Sequence, residues 1–207
     1  MTKCSEVLNQ IITWLKQGKP GADKLVDFPW EVEEKDNNTY IAIHPMFPIK
    51  IFIGCDEEIG VIRLQTILDV ETISLNNDER LVLYHKLLKL NASPLTKFIL
   101  VGDEDLPAIA VDLSTKTLGK DEFNDALALL LATVNASIKL LGLEEVYSSK
   151  LFMELLNLVK KHIEEGWGRE KLINYLIKNA KLKKEQAVEI VDSLLKGLER
   201  VGTGPYM

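Results

Sequence analysis

The sequence contains little of what most metal, nucleotide or hydrolase sites require. Among 207 residues there are two cysteines, Cys4 and Cys55, without C-x-x-C spacing, so we expect reduced thiols and neither a disulfide framework nor a zinc site. The glycine patterns that bind phosphate are absent, and so is the G-x-S-x-G turn of serine hydrolases. We therefore predict no enzyme activity, no cofactor and no metal.

The three histidines, His44, His85 and His162, lie in separate segments without metal-binding spacing. His44 and Cys55 fall on adjacent predicted strands, where a thiol and an imidazole could activate each other. Our interpretation is simpler, namely a histidine at a strand end and a cysteine in a turn.

Long apolar runs and targeting signals are also missing. No window reaches the roughly 18 uncharged apolar residues that a membrane helix needs, and the N-terminal residues do not form a secretory signal. We therefore expect a cytosolic protein that does not contact membranes.

What the sequence does contain is an ordinary globular composition, 46% hydrophobic and 27% charged, with an uneven distribution of charge. Residues 1–147 carry 14 Lys and Arg against 23 Asp and Glu, a net charge of −9. Residues 148–207 carry 11 against 8, a net charge of +3. The change of sign predicts two domains, 1–147 and 148–207.

Hydrophobic periodicity predicts an α+β first domain. Helical spacing indicates helices at about 5–17, 76–93 and 120–141. The second of these begins at Asn76 with Glu79 three residues on, and its predicted buried stripe is Leu81, Tyr84, Leu87 and Leu88. Alternation and turn residues indicate six antiparallel strands at about 30–33, 39–44, 49–53, 59–68, 97–101 and 108–113.

The helix at 120–141 is apolar on more than one side. Its second apolar face consists of Leu129, Ala132, Ala136 and Leu140. A helix of this kind usually contacts two other elements. We interpret it as a central helix and keep a homodimer or partner interface on the second face as the alternative.

The C-terminal module is predicted to contain three helices, at about 149–165, 169–179 and 183–200. The last two could form a helix-turn-helix, in which the outward candidates for nucleic-acid contact are Lys183, Lys184, Gln186 and Lys196. Glu185, Glu189 and Asp192 share that helix, and carboxylates repel phosphate. We therefore favour a packing or partner-binding bundle over DNA binding.

The order of the elements and several short sequence segments resemble those of a known family. The segments Leu87-Leu88-Lys89-Leu90-Asn91, Lys97-Phe98-Ile99-Leu100, Asp112-Leu113 and Phe123 with Ala126-Leu127 are similar to the helix, hairpin and helix of the type III secretion chaperone-like fold, including its YbjN-type members. The resemblance covers about residues 1–143. It implies an antiparallel sheet flanked by helices that is often dimeric, binds other proteins or peptides and has no catalytic residues.

These observations predict a non-enzymatic, chaperone-like module whose partner is another protein or peptide, with a homodimer possible. The alternative is a nucleic-acid-linked regulator that uses the basic C-terminal module.

Overall fold

The structure, a computed structural model, describes residues 4–19, 21–36, 38–44, 49–179 and 182–202. Contacts between Cα atoms divide the chain into two compact units, Met1–Tyr147 and Ser148–Met207. The division falls where the net charge changes sign. That each unit is an independently folding domain stays a prediction.

The first unit is built on a six-stranded antiparallel sheet with the order β1-β2-β3-β4-β6-β5. Its strands are β1 Glu31–Asp36, β2 Thr39–Ile43, β3 Lys50–Asp56, β4 Val61–Ile67, β5 Thr96–Val101 and β6 Leu106–Ser114. The first four strands are joined consecutively, and the β5–β6 hairpin returns so that β6 pairs with β4. With the helices described next, this arrangement confirms the predicted α+β class.

Three helices accompany the sheet: α1 Cys4–Lys16, α2 Asn77–Leu90 and α3 Lys120–Leu141. Side chains alternate along each strand, so one face of the central strands buries aliphatic residues beneath α1 and α3. The strand residues of this core include Ile51, Ile53, Ile62, Leu64, Ile109 and Val111. The core therefore lies between the helices and one face of the sheet.

Helix α2 begins as predicted, but its buried side is different. The Asn76 side chain accepts hydrogen bonds from the N–H groups of Asp78 and Glu79, both at 3.0 Å. The Glu79 carboxylate accepts the Asn76 N–H in return at 2.9 Å. Such reciprocal bonds satisfy N–H groups that a helix start leaves unpaired.

The predicted stripe of α2 is wrong for Leu81 and Leu88, which are each 68% exposed. The helix instead buries Leu83 and Leu87. Residues four apart share one face of a helix, and this pair is the one turned towards β5 and α3. Apolar residues lie on both sides of α2, so periodicity alone does not indicate which side is buried.

Helix α3 has the predicted bounds and buries Phe123, Leu127, Leu130 and Val134. By length and composition alone it is the one described helix that could cross a membrane. The core helix of a globular unit passes the same test, and the contacts of α3 with β5 and β6 give it that role here.

Both edges of the sheet are protected against pairing with another strand. Strand β1 is mostly charged and its residues are largely exposed. On β5, the N–H of Phe98 donates to the side-chain oxygen of Asn91 at 2.6 Å, so a side chain occupies a position that an added strand would need. Charge and covered amides are common protections of edge strands.

The remaining helices are α4 Glu144–Glu164, of which all but the first four residues belong to the second unit, α5 Arg169–Asn179 and α6 Lys184–Gly202. Helix α4 begins five residues before the predicted start and crosses the division. The buried core of the unit is Leu155, Val159, Leu172, Ile173, Leu176, Ala187 and Val191. Beside it the His162 ring stacks on Trp167 with centroids 3.9 Å apart, and Tyr175 meets both rings edge-on.

Candidate binding groove

The sheet has a second face, opposite α1 and α3. Strands β3 and β4 present Phe52, Gly54, Arg63 and Gln65 to it, alternating with the buried isoleucines and leucine. As far as the first unit is described, its helices pack against the other face. This second face is therefore a surface of the unit that its own described helices leave uncovered.

A groove of about 410 Å³ lies on this face. Its lining combines apolar and polar residues from all six strands and one turn: Lys35, Thr39, Phe52, Gly54, Arg63, Gln65, Ile67, Val101, Gly102 and Leu106. Such a mixture of aromatic, aliphatic and convergent polar groups is typical of ligand sites.

Gly54 is part of the floor of the groove. It pairs with Thr39 across β2 and β3. A Cβ atom built on it would be no closer than 3.8 Å to its neighbours, the Asn38 carbonyl oxygen and the Thr39 hydroxyl oxygen. Packing therefore allows a side chain at this position, and the glycine leaves room for another chain to approach the strand backbone.

The groove is locally positive within an acidic unit. Arg63 donates two hydrogen bonds to the Asp112 carboxylate, at 2.7 and 3.0 Å, and Lys97 forms an ion pair with the same carboxylate. Hydrogen bonding from Arg63, and secondarily from Lys97, holds the pKa of Asp112 below its usual range. Lys35, another cation of the groove lining, lies with its ammonium 5.2 Å from the centroid of the Phe52 ring.

Sequence reasoning missed this cluster, although part of the signal was present. Alternation within β4 already places Arg63 and Gln65 opposite Ile62 and Leu64. The contact between Arg63 and Asp112 forms only because β6 pairs with β4, which sets the two residues opposite each other. That pairing joins residues 49 apart, and no local pattern specifies it.

The structure does not join His44 and Cys55. His44 follows β2, where Ile43 pairs with Lys50, whereas Cys55 lies five residues further along β3. His44 itself falls opposite Ile49, six residues from Cys55, so at about 3.3 Å per residue the two stand roughly 20 Å apart along the strands. His44 instead contacts Trp30 and Phe28, with ring centroids 4.8 and 5.5 Å away. Burial there lowers its pKa to about 4.

The expectation of reduced thiols is wrong for this structure, because Cys4 and Cys55 form a disulfide. The bond links the start of α1 to the end of β3, and the two residues are 51 apart in sequence. Sequence spacing gave no sign of it because the contact depends on how α1 packs on the sheet.

The residues predicted for the second face of α3 are accessible. Ala132, Ala136 and Leu140 are exposed and Leu129 is half-buried. Their role as a dimer or partner face stays a prediction.

The candidate nucleic-acid residues of the second unit, Lys183, Lys184, Gln186 and Lys196, are all exposed. Gln186 accepts the backbone N–H of Lys183 at 3.2 Å, so its side chain helps to begin α6. Exposed Glu185 and Glu189 lie on the same helix. DNA binding stays a prediction, and salt-sensitive binding of the full chain to a random duplex would test it.

A family model described as a domain of unknown function, DUF8183, matches residues 10–141. The chain belongs to this family. The match runs from α1 to the end of α3 and includes the groove, the Arg63 cluster and Cys55, while the three helices of the second unit lie beyond it. No curated protein matches the chain.

Two solved structures are similar to this DUF8183 member. One is the HopA1–SchA chaperone–effector complex, 14% identical, with a TM-score of 0.42 over 52% of this chain and 80% of that chain. The other is YbjN from E. coli, described as a candidate transcription regulator, 15% identical, with a TM-score of 0.45 over 66% of this chain and 92% of that chain.

Proposed function

We propose that the chain is a protein-binding module whose sheet groove holds an extended segment of a partner protein, apolar with an acidic side chain near its middle. The observation that carries this proposal is the groove itself: an apolar, partly polar channel on the uncovered face of the sheet, with excess positive charge in a unit of net charge −9.

The apolar part of the proposal rests on the half-buried side chains that surround the groove. Phe52, Ile67 and Val101 are each only partly covered, and a partner segment would complete their burial. Removing apolar surface from water contributes about 25 cal/mol per Å². An extended segment suits this groove, because alternate side chains of such a segment can contact the sheet while the others face solvent.

The acidic part rests on charge complementarity. Among the described lining residues Lys35 and Arg63 are cationic and none is acidic, while the carboxylates that attract Arg63, Asp112 and Asp56, lie outside the lining. A partner carboxylate over Arg63 would add a charge-assisted hydrogen bond, which is stronger than a neutral one. Basic segments would meet repulsion at the same place, so the groove is expected to discriminate by charge.

The groove is favoured over the edges of the sheet as the binding surface. Edge addition would have to bring a strand beside the charged β1 or displace Asn91 from the Phe98 N–H. Binding in the groove requires neither a strand beside β1 nor displacement of Asn91.

A panel of extended synthetic peptides tests the proposal on the full chain. Peptides that alternate apolar residues around a central Asp are expected to bind at least about tenfold more tightly than versions with a central Lys. Gly54→Val is expected to weaken binding by about tenfold or more while leaving the thermal midpoint unchanged or higher, because the valine occupies the groove without a clash. Isothermal titration calorimetry and thermal unfolding give the two quantities.

Leu88→Ser is the matched control, since it removes an exposed apolar side chain from α2, away from the groove, and should leave peptide affinity unchanged. The rival surface is the second face of α3, tested by Leu140→Ser. If Leu140→Ser abolishes peptide binding and Gly54→Val does not, the groove is not the site. Equal affinity for the Asp and Lys peptides would contradict the acidic part of the proposal.

A further inference from the structure

Three metal-ligating side chains meet at the corner where α1 begins and β3 ends. The sulfur atoms of Cys4 and Cys55 and a carboxylate oxygen of Glu57 all lie within 4.8 Å of one another. Cys4 is the first described residue of α1, Cys55 is near the end of β3, and Glu57 is in the turn that follows. Cys4 is buried, Cys55 is half-buried and Glu57 is exposed, so the corner can be reached from solvent on the carboxylate side.

This ligand set suits a zinc ion. Zinc binds thiolate sulfur at about 2.3 Å and carboxylate oxygen at about 2.0–2.2 Å, so two ligands in a tetrahedral site stand roughly 3.5–3.8 Å apart. The three atoms already lie within a separation that small side-chain rotations can adjust, and the Cα atoms of the two cysteines are 5.9 Å apart. Three protein ligands leave the fourth position for water.

The metal and the disulfide need the same two sulfur atoms, so they exclude each other. We propose that the chain binds one zinc ion through Cys4, Cys55 and Glu57 when the disulfide is reduced, and none when it is oxidised. A dithiol or phosphine reductant supplies two electrons, and the two sulfurs take up two protons to become thiols. Zinc then displaces those two protons and forms two Zn–S bonds and one Zn–O bond.

Hydrogen bonds from neighbouring groups position Glu57 at this corner. The N–H of Ser5 donates to Oε1 of Glu57 at 3.0 Å, which helps to hold the carboxylate at the corner. The Asp56 carboxylate accepts the N–H groups of Glu58 and Ile59 at 3.1 and 3.3 Å and so shapes the turn that presents Glu57.

The test is a zinc titration of the full chain, with and without a phosphine reductant, against a chromophoric zinc indicator. Reduced protein is expected to bind one equivalent, and oxidised protein none. Cys4→Ser and Cys55→Ser should each weaken binding by about 100-fold or more, and Glu57→Gln by about tenfold. Glu58→Gln, an exposed neighbour outside the cluster, is the matched control and should leave the affinity unchanged.

Cobalt provides a second signal, because two thiolates in a tetrahedral site give intense visible bands and a sulfur-to-metal charge-transfer band. If the serine variants do not fold, cysteine alkylation in the wild-type chain tests the site instead. Zinc should slow the alkylation of both Cys4 and Cys55 in reduced protein. These are the only cysteines in the chain, so the assay reports this site alone. Reduced wild type that binds zinc no better than the Cys4→Ser/Cys55→Ser variant, or alkylates equally fast with zinc, would overturn the proposal.

Discussion

Replacing Cys4 and Cys55 with serine is expected to lower the free energy of unfolding by about 2–4 kcal/mol. The bond closes a loop between residues 51 apart, and for such a loop the chain-entropy model gives roughly 4 kcal/mol through restriction of the unfolded chain. It also holds the start of α1 to the sheet, where Val7, Leu8 and Ile11 enter the core. Urea unfolding followed by circular dichroism measures the change.

The same experiment includes its own control. A phosphine reductant with a metal chelator should bring wild type down to the stability of the double-serine variant and should have no effect on that variant. Unchanged wild-type stability on reduction would show that the bond does not contribute in the folded chain.

Lowering the pH from about 6.5 to 4 is expected to cost the first unit about 3 kcal/mol of stability through His44. The folded imidazole is buried and has a pKa of about 4, while an unfolded histidine titrates near 6.5. Between these values the unfolded chain binds more protons, so stability falls as the pH falls, and above about 6.5 this contribution is complete. Urea unfolding at a series of pH values between 4 and 7 measures the effect.

His44→Phe is the informative variant, because its ring stays among Phe28 and Trp30 and cannot take up a proton. Its stability should depend less on pH in this window than that of wild type. His85→Gln, which changes an exposed histidine, should keep the wild-type profile. Superimposable profiles for wild type and His44→Phe would show that His44 is not the titrating group.

Local patterns predicted the elements of the first unit well. The bounds of α3, the capping residues at Asn76 and the strand segments follow from short-range periodicity and turn chemistry, which depend on residues near one another in sequence. The buried side of α2 did not follow, because Leu81, Leu83, Leu87 and Leu88 offer two apolar faces, and only packing against β5 and α3 selects one.

The candidate sites were harder to predict because each depends on distant residues. Arg63 meets Asp112 only through the pairing of β4 with β6, and Cys4 meets Cys55 and Glu57 only when α1 lies on the sheet. The type III secretion chaperone-like resemblance indicated an antiparallel sheet with flanking helices, but it did not indicate which face remains open.

The protected edges of the sheet have a consequence for the protein at high concentration. The segment Thr96–Val101 is rich in β-branched and aromatic residues, a composition that stacks readily into fibres when its backbone is exposed. Within the same molecule, the Asn91 side chain accepts the N–H of Phe98 at the outer edge of this strand. At the other edge, the glutamates of β1 repel the β1 strand of another copy. We therefore expect fibril growth by strand addition at either edge of this sheet to be disfavoured, even when copies of the chain are crowded together.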